Sequence, residues 1–276
     1  MSDKLPEVFW EIHSNLPREG PGDNKSTKKA YMTLKGLPKN PHILDIGCGP
    51  GMQTIELAKL SDGTIALDFH QPFLKQLEKS AKEAYFQDRI EPVLGSMFDI
   101  KYDDGCFDLI WCEGAIFVIG FEKGLREWRR LLTINGYFVL SEMAWLRPDP
   151  PKEVVEFMEN GYPEIKTAEE NLEIAKSCSY RVVDSFVLPS KSWWDNYYTP
   201  IEAKLPSVRE KYKDDKESLS FVDFTETEIE MFRKYSDYYG YVFYVLQAKY
   251  FVVFVGSKHL TESAILYFIN SDGVRI

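Results

Sequence analysis

The chain's 276 residues, 44% of them hydrophobic, suffice for one sizeable core and exceed a single minimal domain, so one domain with insertions is expected. Its 33 Lys and Arg against 43 Asp and Glu give a formal charge of -10, and no dense basic run offers the face that nucleic acid requires. The longest apolar run, Tyr241 to Val255, is broken by Gln247 and Lys249 and is too short to span a bilayer, so neither nucleic acid nor membrane is an expected partner.

At the N-terminus, MSDKLPEVFW is acidic and interrupted by proline before any apolar run, which argues against a signal peptide. The stretch FWEIHSNLPREGPGDNKST carries proline and glycine punctuation and a helix start at Ser26 and Thr27. Short β-rich apolar runs then alternate with helical patterns. Strands are expected over His42–Ile46, Thr64–Asp68, Ile90–Leu94, Phe107–Cys112 and Gly136–Met143, and helices over Met52–Leu60, Gln71–Phe86 and Phe121–Leu132. Nearly all-apolar strands alternating with helices imply a parallel sheet covered on both faces, a doubly wound α/β core.

In the second half the pattern changes. PKEVVEFMEN and TAEENLEIAKSC read as helices, the latter with Thr167 and Glu170 in capping-box spacing. A strand-like YRVVDSFVLP, a long polar and aromatic stretch from Lys191 to Gly240, and a strand-like YVFYVLQAK follow; two late strands so joined suggest an antiparallel edge added to the parallel sheet. Thr225 and Glu228 mark a helix start between them. Cys48, Cys106, Cys112 and Cys178 have neither CxxC pairing nor histidines at ligand spacing, so they read as reduced thiols of a cytoplasmic protein, with no metal site and no disulfide framework.

The chemistry concentrates in HILDIGCGPG, residues 42–51, at the carboxyl end of the first strand, where open α/β sheets bind ligands. A P-loop would need a lysine after the last glycine, and Gly51 is followed by MQTI. A dinucleotide fingerprint would need glycine at Met52. Asp45, just before the glycines, repels a pyrophosphate and suits a cationic ligand such as S-adenosylmethionine, whose carboxylate can use N–H groups at the helix start. A tight strand-to-helix turn without a ligand is the plainer alternative. Asp68 ends a strand about 20 residues further on, where a carboxylate can accept both ribose hydroxyls; alone it reads equally as a helix cap.

ILDIGCGPG, ALD, GSMFDI, FDLIWCEGA and LLTINGYFVLSE, in that order and spacing, resemble the successive motifs of class I S-adenosylmethionine-dependent methyltransferases, in their small-molecule, type 11-like microbial branch. The resemblance covers residues 8–250. It implies a mostly parallel, Rossmann-like seven-stranded sheet with the last strand antiparallel. It also implies one domain over 1–276, with a helical lid (1–36), a cofactor-binding core (37–146), helices with an insert and the late strands (147–256), and a tail without a readable role (257–276). Asp45, Gly47, Gly49 and Gly51 would hold the methionine end of the cofactor and Asp68 its ribose. Many relatives have Asp after the third-strand glycine; here Gly95 is followed by Ser96, leaving backbone near Ser96, Met97 or Phe98 to meet the adenine.

Methyl transfer requires a nucleophile aligned on an already activated carbon, and a general base only if that nucleophile must lose a proton. Glu113, in WCEGAIFVIGF, is the acid expected at the cleft, as substrate anchor or base, against the alternative of a capping or loop carboxylate. His13 on the lid, Trp145, and Trp193, Trp194 and Tyr197 of KSWWDNYYTP are candidate pocket walls. Tyr198 shares their broad helical face, which Pro200 closes off, and packing of the insert is the competing role for these rings. The acceptor expected is a small molecule, and a homodimer is compatible with it. A non-catalytic adenosyl-binding protein and, further off, a nicotinamide-dependent oxidoreductase are the rival functions.

Overall fold

The computed structural model describes residues 5–249 and the short strands Phe251–Phe254 and Leu266–Ile269; apart from the latter strand, the tail 257–276 lies outside the described residues. Two helices, α1 (Glu7–His13) and α2 (Asn24–Met32), precede the strand-helix alternation of β1 (Ile43–Ile46), α3 (Met52–Leu60), β2 (Thr64–Asp68), α4 (Gln71–Glu83), β3 (Ile90–Leu94), β4 (Phe107–Glu113), α5 (Phe121–Trp128) and β5 (Leu132–Trp145). Then come α6 (Lys152–Gly161), a two-residue β6 (Lys166–Thr167), α7 (Ala168–Ser177), β7 (Tyr180–Val187), α8 (Lys191–Trp193), a π turn (Trp194–Tyr198), α9 (Thr199–Lys211), α10 (Lys216–Tyr235) and β8 (Tyr239–Ala248).

The sheet runs β3-β2-β1-β4-β5-β8-β7, with β6 beside the end of β5. β8 is antiparallel to both of its neighbours, but it is not the edge expected of the late pair, because β7 takes that place. The sheet thus gains an eighth, minor strand over the seven expected, too short for periodicity to register. Alternate residues of β8 feed two cores. Tyr239, Tyr241, Phe243 and Val245 meet α1, α9 and α10, whereas Val242, Tyr244 and Leu246 meet α5 and α7. Among the described residues no helix is long and apolar enough to cross a membrane.

Five expectations shift. α2 starts at Asn24 rather than Ser26, because Asp23 caps it by accepting from Ser26 N at 2.7 Å. The helix at Phe121 ends at Trp128 and tightens into a 3-10 turn, and β5 begins at Leu132 instead of Gly136, with Asn135 at φ +63°. α10 begins nine residues before Thr225, at the Asp215 cap, and the Thr225 hydroxyl instead donates to Phe221 O one turn back. Pro200 does not close the aromatic face. It sits in the first turn of α9, where its missing N–H is harmless after a π turn has already shifted the hydrogen-bond register.

Candidate functional site

The turn after β1 is built by backbone geometry. Gly47 and Gly51 take φ of +71° and +86°, conformations that disfavour any side chain. Gly47 N and Cys48 N both donate to Leu67 O, at 2.8 and 3.1 Å, and bind the turn to β2. A Cβ on Gly47 would come within 2.6 Å of Ala115 Cβ, and one on Gly51 within 2.2 Å of Leu77 Cδ1. Gly51→Ala should therefore lower stability by about 2 kcal/mol, most of it from the left-handed backbone, because the Leu77 tip can move. A urea midpoint equal to that of the unmodified protein would contradict this.

Two carboxylates flank the turn. Asp68 is buried at the end of β2, its Oδ2 accepting from Gly49 N at 2.9 Å and its Oδ1 from His70 N at 2.8 Å. Burial pushes its carboxyl up, against the pull of those N–H groups. Asp45 is fully buried; its Oδ2 accepts from Thr54 Oγ1 at 2.6 Å and Gln53 Nε2 at 3.3 Å, while Oδ1 has no partner. Burial, aided by nearby Glu113, pushes Asp45 up to about 7. A fully buried, half-satisfied acid on a glycine cradle fits a cationic group. Ser96 is exposed and its Oγ accepts from Phe98 N at 3.2 Å; Met97 O accepts from Trp128 Nε1 at 3.1 Å, which leaves the Met97 side chain beside Gly47.

Glu113 is buried at the end of β4, with both oxygens engaged. Oε1 accepts from Thr27 Oγ1 at 2.7 Å and Trp111 Nε1 at 2.8 Å, and Oε2 from Arg18 Nη2 at 2.5 Å. Arg18 is only 4% exposed. Nothing in the sequence marked it, since its partner lies 95 residues away. The N-terminal segment is thus tied onto the end of β4, and Glu19 is set against Gly49, its Cγ 3.5 Å from where a Cβ would stand. His13 stacks on Phe9 at 4.2 Å and shares a 2.9 Å hydrogen bond with Glu19 Oε2.

The aromatic candidates separate. Trp193 and Tyr198 are fully packed, Trp193 against Phe232 at 4.1 Å and Tyr241 at 4.9 Å. Trp194 turns outward beneath the Arg233 guanidinium. Trp145 meets the edge of Tyr239, at 6.4 Å. Tyr197 faces inward, 6.0 Å from His13. Tyr241, which sequence reasoning missed inside an apolar strand, presses its ring on Gly114, the residue that follows β4.

The family model described as a methyltransferase domain matches residues 44–140. Demethylmenaquinone methyltransferase of Lactiplantibacillus plantarum is 33% identical over 141 residues, 47% of this chain and 56% of that protein. The chain spans about half the length of the curated relatives it matches. A solved SAM-dependent methyltransferase from Geobacter sulfurreducens, in complex with S-adenosyl-L-homocysteine, superposes with a TM-score of 0.76 at 20% identity, over 89% of this chain and 99% of that one. The [4+2]-cyclase SpnF shares the fold at a TM-score of 0.69 and 16% identity, over 87% of this chain and 91% of that one. At such identities the likeness shows the fold alone.

Proposed function

We propose, from the class I methyltransferase fold to which the chain belongs, that it transfers a methyl group from S-adenosylmethionine to a small-molecule acceptor and releases S-adenosylhomocysteine. The observation that carries this is Asp45, a fully buried carboxylate with one unpaired oxygen beside a glycine turn that also presents Asp68. The cofactor supplies a methyl carbon already activated by its sulfonium. The chain's part is to bind, orient and keep water out. The turn at Gly47, Gly49 and Gly51 with Asp45 would hold the methionine end, Asp68 the ribose, and the backbone around Ser96 and Met97 the adenine. The helices α1 and α2 act as the lid. Because both Glu113 oxygens are taken, we assign Glu113 to fastening that lid rather than to accepting a proton. The four free cysteines and the acidic charge support a cytoplasmic enzyme acting on a free metabolite.

Calorimetry with S-adenosylhomocysteine, followed by transfer of labelled methyl from S-adenosylmethionine into a metabolite extract, tests the proposal; absence of binding would end it. Binding without turnover on any fraction would favour the second reading, an adenosyl-binding protein that transfers nothing. That reading draws support from the engaged Glu113 and from the cyclase that shares this fold.

Proton release offers a sharper check. Asp45 titrates near 7 in the free protein because of burial, and a bound ammonium lowers that value. Below that pH the free protein carries a proton that the complex lacks, so binding should release protons at pH 6 and none above pH 8. Titrations in buffers of different ionisation enthalpy read this release directly. Asp45→Asn should abolish it, and persistence of the release in that variant would assign it to another group.

A further inference from the structure

Beside the glycine turn, which only Glu19 of them touches, the lid and insert bring together a second set of titratable side chains. Glu228 lies on α10, with Oε1 accepting from Tyr198 Oη at 2.9 Å. Burial pushes its carboxyl up, and the charge that acts against this is His13. Tyr197 stands at the centre of the group. Burial raises its hydroxyl, and Glu228, Tyr241 and Glu19 each push it the same way, which puts all three within electrostatic reach of Tyr197. Tyr241 ties the group to the transfer site through its contact with Gly114.

The charges in this cluster do not balance. Arg18 is held by Glu113, His13 by Glu19, and the Lys204 ammonium by the carbonyl oxygens of Ile12 and Ser14. Among the described residues Glu228 has no such paired cation, and Glu19 keeps one buried oxygen, Oε1, without a partner. Two donors are likewise buried and unpaired, Trp193 Nε1 and Tyr239 Oη, on side chains 2% and 1% exposed whose rings lie 6.3 Å apart. Tyr239 also feels Glu228. Unpaired buried donors call for an oxygen, and an unbalanced carboxylate among aromatic faces calls for a cation.

We propose that this cluster binds the methyl acceptor and that the acceptor is a small organic amine bearing an oxygen, which enters as its ammonium ion held by Glu228 and the tyrosine rings, with its oxygen held by Trp193 and Tyr239; Glu228 takes the ammonium proton, and the freed nitrogen lone pair forms the new N–C bond to the methyl carbon as the cofactor's C–S bond breaks and S-adenosylhomocysteine leaves. The proposal rests on the methyltransferase reading above and adds the substrate class to it.

Choline and 3,3-dimethylbutan-1-ol have the same shape and differ in charge, and tetramethylammonium lacks the oxygen. The intact chain, saturated with S-adenosylhomocysteine, is titrated with each and followed by tryptophan fluorescence and calorimetry. Choline should bind about tenfold tighter than its neutral isostere. Glu228→Gln, which keeps an oxygen for Tyr198, should erase that preference, whereas Glu226→Gln on the exposed side of the same helix should leave it intact. Trp193→Phe should weaken choline about tenfold and tetramethylammonium hardly at all. Equal affinity for choline and its isostere, no saturable choline binding, or an undiminished preference in a Glu228→Gln protein that still binds S-adenosylhomocysteine would each overturn the assignment. Failure of S-adenosylhomocysteine to bind the unmodified chain would instead remove the reading on which it rests.

Discussion

Glu113→Gln is expected to loosen the N-terminal segment by about 3–5 kcal/mol, because it leaves the Arg18 guanidinium buried without its counter-charge. The carboxylate takes three hydrogen bonds in one place, from Arg18, Thr27 and Trp111, and an amide cannot accept from all three donors with both of its ends. The loss should be local before it is global. α1 and α2 bury Val8, Ile12 and Ala30 in the core on one face of the sheet and are held there by this tie, whereas the other face keeps a core of its own, so the segment should open as a unit. Hydrogen exchange over residues 7–32 reads the effect, and rates equal to those of the unmodified protein would rule out the latch. Pairing Glu113→Gln with Arg18→Met should recover much of the loss, since the stranded charge is then gone as well.

Asp68→Ala should weaken S-adenosylhomocysteine about 100-fold in calorimetry. Each hydrogen bond from a hydroxyl to a carboxylate contributes about 1.5–3 kcal/mol, and a ribose has two hydroxyls to offer. The substitution also frees Gly49 N, which Asp68 now fixes, so the glycine turn loses a support at the same time. Asp68→Asn retains one acceptor and should lose about tenfold. Affinity unchanged in Asp68→Ala would place the ribose elsewhere and undermine the cofactor pose as a whole.

How much of this was legible in the sequence depended on range. The strands β1 to β4 and the helix α3 follow from apolar runs and turn glycines that act within a few residues of themselves, and their boundaries agree closely with the structure. The same holds for Asp45 and Asp68, whose places at strand ends follow from local pattern. Arg18 gave no signal, because a buried arginine is recognised only by its partner, and that partner is set by folding. Glu113 was visible as an acid at the cleft, but whether its oxygens stood free depended on where the lid came to rest. The start of α10 was misplaced because Thr225 and Glu228 have capping spacing while the residue that caps is Asp215, ten positions earlier in a polar run. Tyr241 was read as a strand apolar and Tyr239 as the end of the polar and aromatic stretch before it, and only the alternation of β8 across two cores reveals which face they serve.

The position of β8 has a consequence for the order in which the chain can assemble. This strand is buried almost throughout and separates β5 from β7, so both lack an edge partner until residues 239–248 are available. A nascent chain that has delivered everything through α10 still exposes the apolar margin of β5, an invitation to intermolecular pairing. Completion of the sheet is therefore a late, long-range event, and chaperone demand during synthesis should be greatest in the interval before this strand leaves the ribosome.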